Sequence, residues 1–289
     1  MIRQGLHLLI GVFSFAIFAF NTIFWGALIY LLIPLKLLAP NKKWRSAVTD
    51  QMVKLAENWI SINSAGLSLV HPIEWDIQGL ESLRRDRSYF VSSNHQSWVD
   101  IVVLQKVFNR RIPFLRFFLK HQLIYVPILG GAWWALDFPF MKRHSKDFLA
   151  KNPQRRGEDL ATVRRTCERF IGHPISILNF LEGTRFTVEK REAQKSPYKH
   201  LLNPKVGGVA FVLDAMGNQF EAFLDVTISY PEEQPHFWRL LSGQMRRVMV
   251  HVRHLPIPNS LSRGEMHNWL RDLWSIKDSS LSIIEGPQD

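Results

Sequence analysis

An imidazole and a carboxylate close together on one turn, His95 and Asp100 in the run Asn94-His95-Gln96-Ser97-Trp98-Val99-Asp100, are the residues of this chain best suited to moving a proton. A neutral imidazole, with an unperturbed pKa of about 6.5, accepts a proton near neutral pH. A neighbouring carboxylate can hold the ring in the useful tautomer and stabilise the imidazolium that forms. A plainer reading stands beside this one: Ser97 and Asp100 also have the spacing of a helix capping box, in which the acid serves only the exposed N–H groups of a first turn. The run before the turn, Ser88 to Ser93, is made of strand-forming residues, and Ile101 to Phe108 reads as a buried helix. The pair therefore sits at a strand-to-helix junction, with His95 just outside the helix and able to turn toward Asp100.

A second turn follows another strand-like run, Ile175 to Asn179, and reads Phe180-Leu181-Glu182-Gly183-Thr184-Arg185. Together the two stretches resemble the glycerolipid acyltransferase family, whose marks are an N-H-x-x-x-x-D box and an F-P-E-G-T-R box. The resemblance runs from about Trp75 to Pro256 and is strongest to 1-acylglycerol-3-phosphate acyltransferases written F-x-E-G-T-R-F-T with a later D-V-T-I, here Asp225 to Ile228. It implies an α/β fold with a mixed central sheet flanked by helices and an N-terminal hydrophobic helical membrane element. It also implies transfer of an acyl chain from acyl-CoA or acyl-ACP to the sn-2 hydroxyl of lysophosphatidic acid, giving phosphatidic acid. Leu181 stands where proline is usual, and the V-P-V-type box near the last strands is missing. Those departures leave headgroup and acyl preference open, with another lysophospholipid as the alternative acceptor. A non-catalytic membrane lipid-binding protein is the reading from a different class.

In this scheme His95 is the general base, Asp100 orients it, and the acceptor alcohol is itself the nucleophile; Ser92, Ser93 and Ser97 are the alternative acyl carriers. Arg185 offers bidentate hydrogen bonds to a phosphate, Gly183 a close backbone approach and Thr184 a hydroxyl, while Glu182 either accepts from the glycerol or braces Arg185. The resemblance adds two cations: Lys120, before an I-P-x-x-G-like turn, and Arg143, closing the segment that begins at Asp137. Each also has a plainer reading as a solvated or lipid-facing charge. No cofactor is expected, since neither a metal-ligand spacing nor a glycine-rich nucleotide loop is present. The single cysteine, Cys167, cannot form an intrachain disulfide and reads as a small apolar helix residue.

The elements that must carry these turns follow from composition and pattern. With 289 residues, 46% of them hydrophobic, the chain can bury one sizeable core. It divides into an N-terminal membrane element over 1–40, an amphipathic connecting helix over 41–70 and a catalytic domain over 71–289. A formal charge of +11, spread without a nucleic-acid-binding module, suits an anionic membrane surface and an acidic acyl donor better than nucleic acid. From Leu8 to Ile33 no charge appears, and such a helix would reach ~39 Å, more than a ~30 Å hydrocarbon core needs. Asn21-Thr22 leaves two forms open, one tilted span or two shorter helices that dip in and return. Lys36, Lys42, Lys43 and Arg45 mark the following flank as cytoplasmic, so the catalytic part is expected to face the cytoplasm, at a bacterial inner membrane. Residues 44–64 have helical apolar spacing, 158–171 read as a scaffold helix, 111–120 as a membrane-interface segment and 188–203 as a long loop. Further strands are expected at 73–79, 222–229 and 248–252. Ser262 and Glu265 form a capping box opening a terminal helix.

Overall fold

The polar pair Asn21-Thr22 does not break the first helix. In the computed structural model, which describes residues 2–70, 72–142, 146–155, 157–231, 234–258 and 261–285, α1 (Ile2–Leu37) is continuous, about 54 Å long at about 1.5 Å per residue. It is the one helix among the described residues long and apolar enough, by length and composition, to cross a membrane. The form with two shorter helices is therefore corrected, and the reason is local. Thr22 donates to the Phe18 carbonyl of its own helix at 2.7 Å. Asn21 donates to the Trp59 carbonyl at 3.0 Å and to Asn63 Oδ1 at 2.8 Å, both on α2 (Lys42–Val70). The partner that satisfies these groups is a neighbouring helix rather than a turn. α2 returns antiparallel along α1 and buries Val48, Met52, Ala56, Ile60 and Leu67, while Leu9, Phe20 and Leu31 of α1 face outward.

The catalytic part then runs β1 (Glu74–Gln78), β2 (Ser88–Ser93), α3 (Val99–Phe108), β3 (Leu115–Phe117), β4 (Leu119–Lys120), α4 (Leu129–Ala135), β5 (Phe140–Met141), α5 (Lys146–Lys151) and α6 (Glu158–Phe170). It continues through β6 (Ser176–Phe180), α7 (Val188–Ala193), α8 (Val206–Met216), β7 (Phe220–Ser229), α9 (Phe237–Leu241), β8 (Arg247–Leu255) and α10 (Arg263–Glu285). Six strands form a sheet in the order β1-β8-β7-β2-β6-β3, every neighbouring pair parallel except β7 with β8; β4 and β5 make a small parallel pair. This is the mixed sheet flanked by helices that the resemblance implied.

Central strand β2 is buried along its whole length, as expected for a strand covered on both faces. Tyr89 and Val91 point into a core shared with α1 to α4. Phe90 points into the opposite core, built by α6, α8 and α10 around Leu270 and Trp274. Register places the end of β2 level with its neighbours, Ser93 opposite both Phe180 and Val226. The turns after β2 and β6 thus emerge side by side at the carboxyl edge, where open α/β sheets hold their ligands.

Three local readings change or gain detail. Residues 111–120 do not form a membrane-interface segment: Leu115, Phe117 and Leu119 are buried on strands β3 and β4, so their apolar character serves the core. Residues 188–203 are not an open loop, because α7 opens them and Tyr198, Leu201 and Leu202 are buried. On α6, Cys167 packs in the second core; the side chains of Leu160 and Val163 lie outside the described residues.

Candidate active site

At the end of β2 the chain makes its turn with both backbone and side chains held. Asn94 is almost fully buried and reads the edge of β7 as a strand would, donating to the Ile228 carbonyl at 2.8 Å and accepting from the Ile228 N–H at 2.9 Å. His95 follows, its Nδ1 2.8 Å from Asp100 Oδ2. The same carboxylate oxygen accepts the N–H groups of Gln96 at 2.6 Å and Ser97 at 2.8 Å, and Oδ1 accepts the Tyr230 hydroxyl at 2.7 Å. The half of the capping-box reading that placed Asp100 near backbone N–H groups holds, but it reaches back before the helix. Ser97 does cap the first turn: its Oγ accepts the Val99 N–H at 3.3 Å, while Trp98, the residue between them, is already helical and makes no side-chain cap bond.

Asp100 is fully buried, and four donors surround it. A carboxylate accepts only, so Nδ1 of His95 carries the hydrogen and Nε2 keeps its lone pair. Burial and the Asp100 charge raise the Tyr230 hydroxyl well above its usual value, which keeps it a donor. The imidazole stacks on Phe180, ring centroids 3.9 Å apart, and its side chain is 14% exposed. Ser92 and Ser93 are fully buried and Ser97 nearly so, which disfavours them as acyl carriers.

The second turn is bonded directly to the first. Glu182, fully buried, accepts the His95 N–H at 2.9 Å through Oε1 and the Leu202 N–H at 2.9 Å through Oε2, and the Phe186 N–H donates to the His95 carbonyl at 2.7 Å. Both oxygens of Glu182 are thus engaged by main chain, so it braces His95 rather than Arg185 or a glycerol. Burial pushes its carboxyl up to about 8, against the two main-chain donors. Gly183 has φ +69°, a left-handed conformation that strains any residue with a side chain, while the nearest atom to a Cβ there, Lys205 Nζ at 2.8 Å, is the end of a flexible side chain that can shift. Thr184 accepts from Lys190 Nζ at 3.1 Å, and the same ammonium donates to the Arg185 carbonyl at 2.8 Å. Arg185 is exposed, its guanidinium 5.4 Å from the Trp98 ring.

Lys120 ends β4 and is exposed. Its strand is paired to β5, and among the described residues no hydrogen bond or ion pair joins it to the two turns. Arg143 lies outside the described residues. Sequence reading missed Asn94 as a strut, Tyr230 as the fourth donor to Asp100, and Lys190 and Lys205 beside the second turn. Lys190 could have been found from its spacing to Thr184; Tyr230 could not, being 130 positions from its partner. Among the described residues no three His, Cys, Asp or Glu side chains converge as a metal site.

Residues 74–230 match the family model described as Acyltransferase, and that span holds every residue of both turns. Lysocardiolipin acyltransferase 1 of Gallus gallus is 26% identical over 287 residues, covering 92% of this chain and 71% of the relative. The 1-acyl-sn-glycerol-3-phosphate acyltransferase delta of Homo sapiens is 28% identical over 172 residues, 55% of this chain but only 43% of its own length. The crystal structure of the 1-acyl-sn-glycerophosphate (LPA) acyltransferase PlsC from Thermotoga maritima superposes with a TM-score of 0.64 over 99% of both chains at 15% identity, a likeness of fold. With a family match over more than half of its residues, the chain belongs to the acyltransferase family.

Proposed function

We propose that the protein transfers an acyl chain from acyl-CoA or acyl-ACP to the sn-2 hydroxyl of lysophosphatidic acid, giving phosphatidic acid. The observation that carries this is the His95–Asp100 pair, joined through Nδ1 and bonded through Glu182 and Phe186 to the turn that presents Arg185. Nε2 takes the proton of the acceptor hydroxyl as its oxygen attacks the thioester carbonyl. The new ester C–O bond forms, the C–S bond breaks, and the departing thiolate takes the proton back from the imidazolium. Asp100 steadies that imidazolium without giving up its own charge. Arg185, with Lys190 behind it, holds the acceptor phosphate. α1 holds the chain at a membrane, the bacterial inner membrane in this reading, with Lys42, Lys43 and Arg45 and the catalytic domain on the cytoplasmic side.

A second acceptor is favoured by one finding: a relative matched over 92% of this chain is a lysocardiolipin acyltransferase. A lysophospholipid with a larger phosphodiester headgroup would use the same base and the same phosphate handle. The test is thiol release from purified protein given acyl-CoA or acyl-ACP and a panel of acceptors. Release with lysophosphatidate, and none from folded His95→Ala, supports the main reading. Faster release with lysocardiolipin moves the acceptor to the second. No release with any acceptor defeats both.

A further inference from the structure

A crevice of about 790 Å³ opens away from the His95 turn, bounded by the first turns of α2, the chain entering β3 and the end of α6. Pro113 and Phe114 precede β3 and His173 and Pro174 precede β6, so it lies at the amino edge of strands whose carboxyl ends carry the catalytic turns. Inside it is a cation held in a fixed plane. Arg116 is only 6% exposed, its guanidinium carbon 4.5 Å from the Phe170 ring centroid and 5.5 Å from that of Phe114. Its Nε donates to the Leu136 carbonyl at 2.9 Å, and no other hydrogen bond from this side chain is made to the described residues. Burial lowers its pKa to about 10 against the pull of Asp137 and Asp50, so it stays charged near neutral pH.

The neighbouring carboxylates do not account for this charge. Asp137 already meets Lys36 at 2.6 Å and Arg169 at 3.2 Å, while Glu57 meets Arg85 at 2.6 Å and Glu168 meets Arg164 at 3.3 Å. Only Asp50 lacks a cation partner among the described residues, whereas Lys42, Arg45 and Arg165 on the rim have no carboxylate within 4.0 Å. A planar guanidinium with its outer N–H groups unused, ringed by surplus positive charge, matches an oxyanion with two acceptor oxygens.

We infer that this crevice binds a phosphate group, with Arg116 as the receptor and Arg45 and Arg165 as the rim, apart from the catalytic turns. Lys42 and Arg45 follow directly on α1, beside the exposed Leu38 and Trp44, so a lipid headgroup can reach the crevice as readily as a free anion. The test uses the full chain in neutral detergent at low ionic strength. Inorganic pyrophosphate is titrated calorimetrically, and flotation is measured with phosphatidylcholine vesicles with and without phosphatidic acid. Three variants are compared: Arg116→Gln, the surface pair Arg45→Gln/Arg165→Gln, which leaves the buried cation in place, and Arg185→Ala at the catalytic end. Binding that is unchanged in Arg185→Ala but about tenfold weaker both in the rim pair and in Arg116→Gln supports the site, whereas wild-type binding in Arg116→Gln refutes Arg116 as its receptor. That pattern with pyrophosphate identifies a free anion, and with phosphatidic acid vesicles alone a lipid headgroup. If the rim pair binds both probes as the wild type does, if the loss appears in Arg185→Ala instead, or if the wild type binds neither, the site is refuted.

Discussion

The two halves of the candidate active site are built to opposite standards. Asp100 is fully buried with four donors on its two oxygens, and its donors come from His95, the following backbone and Tyr230. Arg185, only a few residues beyond the Glu182 brace, is exposed, its guanidinium 5.4 Å from the ring of Trp98, itself exposed. A proton-transfer group must be aligned before substrate arrives, so its bonds are made within the fold. A substrate clamp makes its bonds to the ligand, so in the unliganded fold it stays solvated. Proton chemistry and headgroup grip should therefore fail differently when substituted.

The largest effect is expected at His95: His95→Ala should lower kcat about 10⁴-fold with the fold retained by circular dichroism, and a loss under tenfold would separate the pair from the chemistry. Asp100→Asn should lower kcat about 10³-fold, since an amide offers Nδ1–H a poorer acceptor and confronts the Gln96 and Ser97 donors with its own hydrogens. Arg185→Ala should instead raise KM for a phosphate-bearing acceptor about 30-fold with kcat little changed, and should leave turnover of monoacylglycerol unaffected. Equal damage to both acceptors would erase the contrast between the halves. Tyr230→Phe should cost about tenfold in kcat and move the pH profile of the base, a shift that a merely structural role would not produce.

The smallest effect tests the brace. Glu182→Gln gives one of two main-chain N–H groups a poor partner, a loss of about 1 kcal/mol in stability. Because Glu182 is raised from 4.5 to about 8, its contribution is complete below the unfolded value and disappears as pH rises through about 8. The wild-type melting temperature should thus fall across that window, and the Gln variant should show a shallower slope. Equal slopes would show that Glu182 stays ionised throughout.

What could be read in the sequence was whatever depends on near neighbours. The strands before each turn, the His95–Asp100 spacing and the Ser262–Glu265 capping box, seen as reciprocal bonds of 2.8 and 3.3 Å, all arise within a few residues. The brace from Glu182 to the His95 backbone and the bond from Tyr230 to Asp100 span 87 and 130 positions, and they exist only because β2, β6 and β7 end level. Residues 111–120 misled for a related reason: apolar residues between basic ones look the same on a buried edge strand as on a membrane face. What separates the two is Arg116 turning inward, which no local pattern records.

The account rests on one proton standing on the inner ring nitrogen of His95. Nitrogen-15 NMR of the labelled protein near neutral pH reads this directly. We expect a neutral ring protonated at Nδ1 with Nε2 bare, and loss of that preference in Asp100→Asn. A neutral ring carrying its hydrogen on Nε2 in the wild type would contradict the assignment of His95 as the base.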